Sequence, residues 1–406
     1  MLQKTLPSSL RTVALPMPHA NSVTVCFFVR AGAVYETRKA AGLSHFIEHM
    51  LFKGTQKRTA AQQAAEIDGV GGQINAYTAK ENTCYYVRLL PEHLELAFDI
   101  LSDMLLRPLL PPEEIEREKG VVLEEISMVE DTPDDVAHEA LTEAFFQGHP
   151  LARPILGTPK SVQGITQQDI LTYMQKHYGA RDTVVAVAGR FEDTHLNELF
   201  HKYLQEWPHS PSQKRIDTHT PLAPEGRIHK KKTIEQAHIC LGYPGITMGS
   251  EDTYALMTLN NILGGGMSSR LFQKIREERG LAYSVYSYPG FFKKGGMYTL
   301  YAGTNPEQLA EVESIMRQQA TEMAQGNFTD EEYQRACRQM RASYMLTQDS
   351  TQTRAQGLGR SYLLLGKPMD CDEVYAKMEA VTPEKVRGTA AALLSKEPYV
   401  SVVSGA

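Results

Sequence analysis

Gly42-Leu43-Ser44-His45-Phe46-Ile47-Glu48-His49-Met50-Leu51-Phe52-Lys53-Gly54-Thr55 is the stretch on which the reading of this chain turns. Its centre, His45 to His49, is an H-x-x-E-H pattern, the inverse of the commoner zinc-helix order. With 100° between successive helical residues, His45, Glu48 and His49 fall in one narrow sector. Leu43, Phe46, Ile47, Met50 and Leu51 fill the rest of the circumference. A helix apolar on its remaining faces is buried, and buried polar groups need partners. A metal ion and its water satisfy two imidazoles and a carboxylate together, whereas a purely structural role needs three separate hydrogen-bond partners. Gly54, just past Lys53, is expected to cap the C-terminus of this helix.

Catalytic zinc usually takes three protein ligands and keeps a fourth position for water, so one more ligand is required. The candidate segment is Glu113 to Glu130, a helix opened by Pro111-Pro112 with Ile115, Val122, Ile126 and Val129 at helical spacing. Most of its glutamates must form a solvated face. Glu118 and Glu125 lie two turns apart and project nearly the same way, so one could bind metal while the other supports the site. Periodicity does not choose between Glu125 and its neighbour Glu124.

Working outward, 406 residues are too many for one ordinary core and suggest two domains. With 42% hydrophobic and 22% charged residues the composition is that of a globular protein. A net charge of −6 gives no overall attraction to nucleic acid or anionic lipid. The only basic run, His229-Lys230-Lys231-Lys232, is short and is expected to be a solvated segment. The first residues lack the apolar stretch of a secretory signal, and no run of about 18 apolar residues occurs, so a cytoplasmic protein without membrane contact is expected. Five widely spaced cysteines without a C-x-x-C pair indicate neither a disulfide framework nor a thiolate zinc site, and read as small core residues.

A Pro-, Ser-, His- and Thr-rich stretch marks a linker over residues 207–228, between an N-terminal domain (1–206) and a C-terminal domain (229–406). The two halves share an order of events. In the first, a β-rich stretch (Asn82 to Leu90) meets Pro91-Glu92, an amphipathic helix through Leu94, Phe98, Leu101 and Leu105, then a second helix opened by Pro112-Glu113. In the second, Met297 to Ala302 meets Pro306-Glu307, a helix through Leu309, Val312 and Ile315, then one opened by Thr329-Asp330. The order predicts an α+β duplication, each half a mainly antiparallel sheet with packed helices. No H-x-x-E-H follows the linker, so only the first half carries the metal motif.

The segment from Gly42 to Thr55 resembles the active-site helix of the pitrilysin (insulinase) family, especially the branch containing the mitochondrial processing peptidase. The resemblance runs along nearly the whole chain, including Gly72-Gln73-Ile74-Asn75-Ala76-Tyr77-Thr78 and His149-Pro150-Leu151. It implies one zinc ion per chain held by His45, His49 and Glu125, with Glu118 as the outer partner and Glu48 as general base. It makes the strand bearing Asn75, Ala76 and Tyr77 the edge that holds substrate. Arg276 and Tyr283 match an Arg/Tyr pair that related peptidases bring from the C-terminal half to the substrate, where Tyr could stabilise an oxyanion and Arg hold a peptide carbonyl. The alternative is Arg276 in surface salt bridges and Tyr283 in the core. Relatives of this length pair two chains, which implies a homodimer whose sites are completed by the partner.

The function expected is therefore a zinc-dependent endopeptidase that cuts short or unfolded polypeptides, with Glu48 taking the proton of the attacking water. A non-catalytic scaffold subunit of the same fold is the competing class, distinguished by loss of the metal motif. A zinc hydrolase acting on non-peptide substrates is a third. The glycines at 264–266 precede a helix, but the G-x-x-x-x-G-K-[ST] pattern of a phosphate-binding loop is absent.

Overall fold

Val23–Val29 is apolar at every position but Thr24, the pattern of a strand covered on both faces. In the computed structural model, which describes residues 1–209 and 224–405, it is buried throughout and lies inside a six-stranded sheet. In chain order the first half forms β1 (Leu2–Thr5), β2 (Arg11–Pro16), β3 (Val23–Val29), α1 (Leu43–Leu51), α2 (Ala60–Asp68), β4 (Gln73–Thr78), β5 (Thr83–Leu89), α3 (Leu94–Leu106), α4 (Pro112–Asp131), α5 (Pro133–Phe145), α6 (Pro159–Gln163), α7 (Gln167–His177), β6 (Thr183–Gly189) and α8 (Asp193–Leu204). The second forms β7 (Gly226–Lys232), β8 (Ala237–Pro244), α9 (Thr253–Leu263), β9 (Ala282–Phe292), β10 (Gly295–Thr304), α10 (Leu309–Ala324), α11 (Asp330–Thr347), α12 (Thr351–Leu365), α13 (Cys371–Glu379), α14 (Pro383–Leu394) and β11 (Tyr399–Gly405).

These elements gather into two compact units that are not contiguous in sequence. The first holds residues 1–126, 153–209 and 346–370; the second holds 127–152, 224–345 and 371–405. Helix α5 of the first half thus belongs to the second unit, and α12 of the second half belongs to the first.

In the first unit the sheet runs β1-β2-β6-β3-β5-β4, antiparallel except for β2 against β6. Val25, Phe27, Tyr85 and Val87 form one core with Phe46, Ile47 and Met50 of α1 and Phe98 and Leu101 of α3. Helix α12 packs on β2, β3 and β6. Gly359 allows it: a Cβ there would overlap the Phe28 ring and crowd Ala186. The hydroxyl of Thr351 pairs with those of Ser22 and Thr24, and Arg11 and Arg30 donate to the carbonyls of Tyr362 and Leu363.

The second unit repeats the plan. Its sheet, β7-β11-β8-β10-β9, matches β2-β6-β3-β5-β4 strand for strand, down to the parallel pair of β7 with β11. Ile239, Leu241, Leu300 and Val402 pack with α9, α10 and α14, while α5 lies on β8 and β11. The expected duplication is therefore present, and the matching run of strand, Pro-led turn and two helices appears as β5-α3-α4 and β10-α10-α11.

Some local expectations give way to detail. Helix α1 ends at Leu51, where the Phe52 N–H bonds the carbonyls of His49 and Met50. Gly54 does not cap it; with φ +106° it turns the chain three residues after Leu51. The basic run at 229–232 lies on edge strand β7 with His229 and Lys231 exposed and Lys230 and Lys232 half-buried, a solvated segment as expected, and His229 bonds Ser404. Of the linker expected at 207–228, residues 210–223 lie outside the described residues. Trp207 is a core residue of the first unit, packed on Phe27, and Gly226 already begins β7. Four of the five cysteines are buried, no disulfide joins them, and Cys371 is half-buried. Among the described residues no helix is long and apolar enough to cross a membrane.

Candidate metal centre

The start of α1 is built around Gly42, which sits at φ +90° with the Leu156 carbonyl 2.5 Å from where a Cβ would stand. Glycine has no side chain to bond the free N–H groups of the first turn. Glu36 supplies the acceptor instead: its Oε2 takes the Gly42 N–H (2.8 Å) and its Oε1 the Ser44 N–H (2.7 Å). Burial pushes the Glu36 carboxyl up, and the bonds from Ser44 and Gly42 pull against that shift. Phe46, Ile47, Met50 and Leu51 point into the core, leaving His45, Glu48 and His49 half-buried on the remaining face.

On that face the imidazoles of His45 and His49 stand with ring centroids 4.5 Å apart. Each Nε2 lies 3.6 Å from Oε2 of Glu125 on α4. The three ligand atoms all fall within 4.8 Å of one another. A distance of 3.6 Å is too long for a hydrogen bond. It is close to the separation of about 3.3–3.4 Å between ligand atoms around a tetrahedral ion with bonds of about 2.0–2.1 Å. Two imidazole nitrogens and a carboxylate oxygen form a borderline-soft donor set suited to zinc. Glu125 is the residue brought to the histidines, while Glu124 is exposed on another face of α4.

Behind the candidate ligands, His49 Nδ1 bonds Oε1 of buried Glu118 at 2.7 Å, and Lys53 Nζ forms an ion pair with the other Glu118 oxygen at 2.5 Å. A proton on Nδ1, held by the carboxylate, leaves the Nε2 lone pair free for a metal. Burial alone would raise the Glu118 carboxyl, but the bonds from Lys53 and His49 prevail and hold it below its ordinary value. Burial, with the neighbouring His49, lowers His45 to about 4, against a smaller opposing effect of Glu118. His45 is accordingly neutral near pH 7, as a ligand must be.

Glu48 is pushed up by burial, a shift that the Thr78 hydrogen bond and His49 reduce and Glu125 reinforces. Thr78, at the end of β4, donates its hydroxyl to Glu48 Oε2 and so ties the candidate base to the candidate substrate strand. Among the described residues strand β4 is the sheet edge, paired only with β5 through contacts such as Asn75 with Tyr86 and Tyr77 with Cys84. Its outer edge offers backbone donors and acceptors to an added strand. Asn75 is exposed, and Ala76 and Tyr77 are half-buried.

Arg276 and Tyr283 lie in the second unit. Arg276 is the penultimate residue of a π-helical turn, Phe272–Glu277. Its guanidinium stacks 4.8 Å from the Phe272 ring and 4.5 Å from the Tyr283 ring, and it donates to the Tyr283 carbonyl. Tyr283 is 80% exposed, which removes the alternative that placed it in the core. His149, in the same unit, is buried with Nδ1 accepting the Leu151 N–H. Sequence reasoning passed over Glu36, Lys53 and Thr78. Lys53 and Thr78 stood inside the quoted motifs, one turn past His49 and at the end of the strand segment, but nothing in the spacing of Glu36 announces its role.

Comparison with known proteins places the chain in a family. Residues 11–159 match the family described as Insulinase (Peptidase family M16), and residues 164–340 match the Peptidase M16 inactive domain. The uncharacterized zinc protease YmxG of Bacillus subtilis is 38% identical over 402 residues, covering 98% of this chain and 97% of that protein. The uncharacterized zinc protease SCO5738 of Streptomyces coelicolor is 40% identical over 407 residues, covering 98% and 88%. A protease from Helicobacter pylori, 20% identical, superposes with a TM-score of 0.90 over 99% of each chain and shares the fold. With both halves matched, the chain belongs to the insulinase family of peptidases, family M16.

Proposed function

We propose that the protein is a zinc-dependent endopeptidase acting on short or unfolded polypeptides. The observation that carries this reading is the convergence of His45, His49 and Glu125 beside a carboxylate, Glu48, that is itself bonded to the edge strand β4. His45, His49 and Glu125 would hold the ion. When bound there, zinc would supply Lewis-acid polarisation of the scissile carbonyl and make water more acidic. Glu48 accepts the proton of the attacking water and returns it to the leaving amine. Main-chain groups of Asn75, Ala76 and Tyr77 take the peptide as an added strand, which is tolerant of sequence. Glu118 orients His49.

Within the same reading Tyr283 donates to the developing oxyanion and Arg276 holds a substrate carbonyl, each offered by a second copy of the chain in a homodimer. Mixing His49→Ala subunits with Tyr283→Phe subunits tests this: activity should reappear on exchange, and its absence would remove the shared site.

A scaffold role is the second reading, favoured by the match of residues 164–340 to a domain described as inactive. Zinc content and cleavage of a quenched fluorescent peptide, measured on wild type and Glu48→Gln, separate the two. The peptidase reading expects about one zinc in both proteins and cleavage by wild type alone; a wild type without metal or activity would leave the scaffold.

A further inference from the structure

A metal-binding histidine is normally oriented through the ring nitrogen that faces away from the metal. His49 follows the rule, with Nδ1 held by Glu118. His45 does not: among the described residues no group bonds its buried Nδ1. Its placement must come from the backbone that carries it. Helix α1 is nine residues long, and His45 stands in its first turn. First-turn N–H groups have no partner inside the helix, so an uncapped start frays.

Four other helices are capped by a local threonine, Thr59, Thr158, Thr166 or Thr382. At α1 that solution is closed, because φ +90° and the approach of Leu156 and Gly157 require glycine at position 42. The acceptors therefore come from Glu36, 3% exposed, whose two oxygens take the Gly42 and Ser44 N–H groups, the second immediately before His45. Glu36 is itself held, since Arg153 donates to the carbonyls of Ala33, Val34 and Glu36. The Ser44 hydroxyl is fixed by Tyr173 at 2.8 Å.

We propose that Glu36 is a positioning residue of the metal centre: its two-oxygen hold on the Gly42 and Ser44 amides places His45, as Glu118 places His49. The inference rests on the metal-centre reading above.

The test measures zinc affinity by competition with a chromophoric chelator, and the visible spectrum of the cobalt-substituted protein, for wild type, Glu36→Gln, Glu36→Asp and Thr351→Val. Gln keeps one acceptor and loses the other, so Glu36→Gln should weaken zinc binding about 10- to 100-fold and alter the cobalt bands. Glu36→Asp, shorter but still a carboxylate, should fall between it and wild type. Thr351→Val loses bonds to Ser22 and Thr24 in the same unit and should lower the melting temperature while leaving both metal readouts unchanged. Wild-type affinity and spectrum in Glu36→Gln would overturn the proposal, whatever its melting temperature. If Glu36→Gln does not fold, Glu36→Asp decides on the same readouts, and failure of both to fold would assign Glu36 to the fold alone and overturn it. A wild type that binds no zinc fails the metal-centre reading itself, and the inference with it.

Discussion

Lys53 Nζ and His49 Nδ1 hold opposite oxygens of the same carboxylate, Glu118, so the carboxylate cannot swing without breaking the Lys53 ion pair or the His49 hydrogen bond. Replacing Lys53 with Met removes one anchor while keeping most of the aliphatic stem. Zinc affinity in Lys53→Met should fall about tenfold, measured by chelator competition, and fall further in Glu118→Gln. Thr78 acts on the other side of the site. Thr78→Val keeps the shape of the side chain but leaves Glu48 without its donor, so kcat/KM on a peptide should drop about tenfold, on the order of one hydrogen bond, with zinc affinity unchanged. A fall in zinc affinity with Thr78→Val would instead mean that the hydroxyl supports the ligands.

Helices α5 and α12 each cover a sheet face with contacts that leave little slack. At Gly359 a larger side chain must displace Phe28 or lift α12. Gly359→Val should cost about 1–3 kcal/mol or more in urea unfolding, an overpacking penalty. Helix α5 carries His138, whose ring nitrogens meet the hydroxyls of Tyr286 and Tyr288, beside Tyr301 and Cys240. Burial, with His238 adding and Asp134 opposing, lowers His138 to about 4. Because the folded value lies below the ordinary 6.5, the unfolded chain takes up the proton first as pH falls. The contribution is complete above about pH 6.5 and is lost progressively towards pH 4. Between pH 7.5 and 5, wild type should lose about 2 kcal/mol more stability than His138→Gln. Equal losses would mean that the imidazole is not held neutral by the packed tyrosines.

At the scale of the whole molecule, what was legible in the sequence was what is local. The H-x-x-E-H sector and its apolar complement lie within one short helix, and the repeated order of strand, turn and two helices follows the chain. Glu125 against Glu124 was not legible from periodicity, because adjacent helical residues differ only in direction and the partner that selects one of them is distant in sequence. The exchange of α5 and α12 was hidden for the same reason: Leu358 and Leu363 announce an apolar stripe but not which sheet it covers. The exchange has a consequence for the linker, which looks like a place to divide the chain. A fragment of residues 1–206 retains β1 to β6 but lacks α12, so Phe28 and the apolar groups around it lose their cover at roughly 2–3 kcal/mol for that ring alone. The same fragment carries α5 without β8 and β11 to receive its apolar face. It should show no cooperative urea transition, bind a hydrophobic dye, and recover a single transition only when co-expressed with residues 207–406. A cooperative transition and a native near-ultraviolet dichroism spectrum in the fragment alone would mean that each half folds on its own and that the exchanged helices are additions to finished domains, not parts of them.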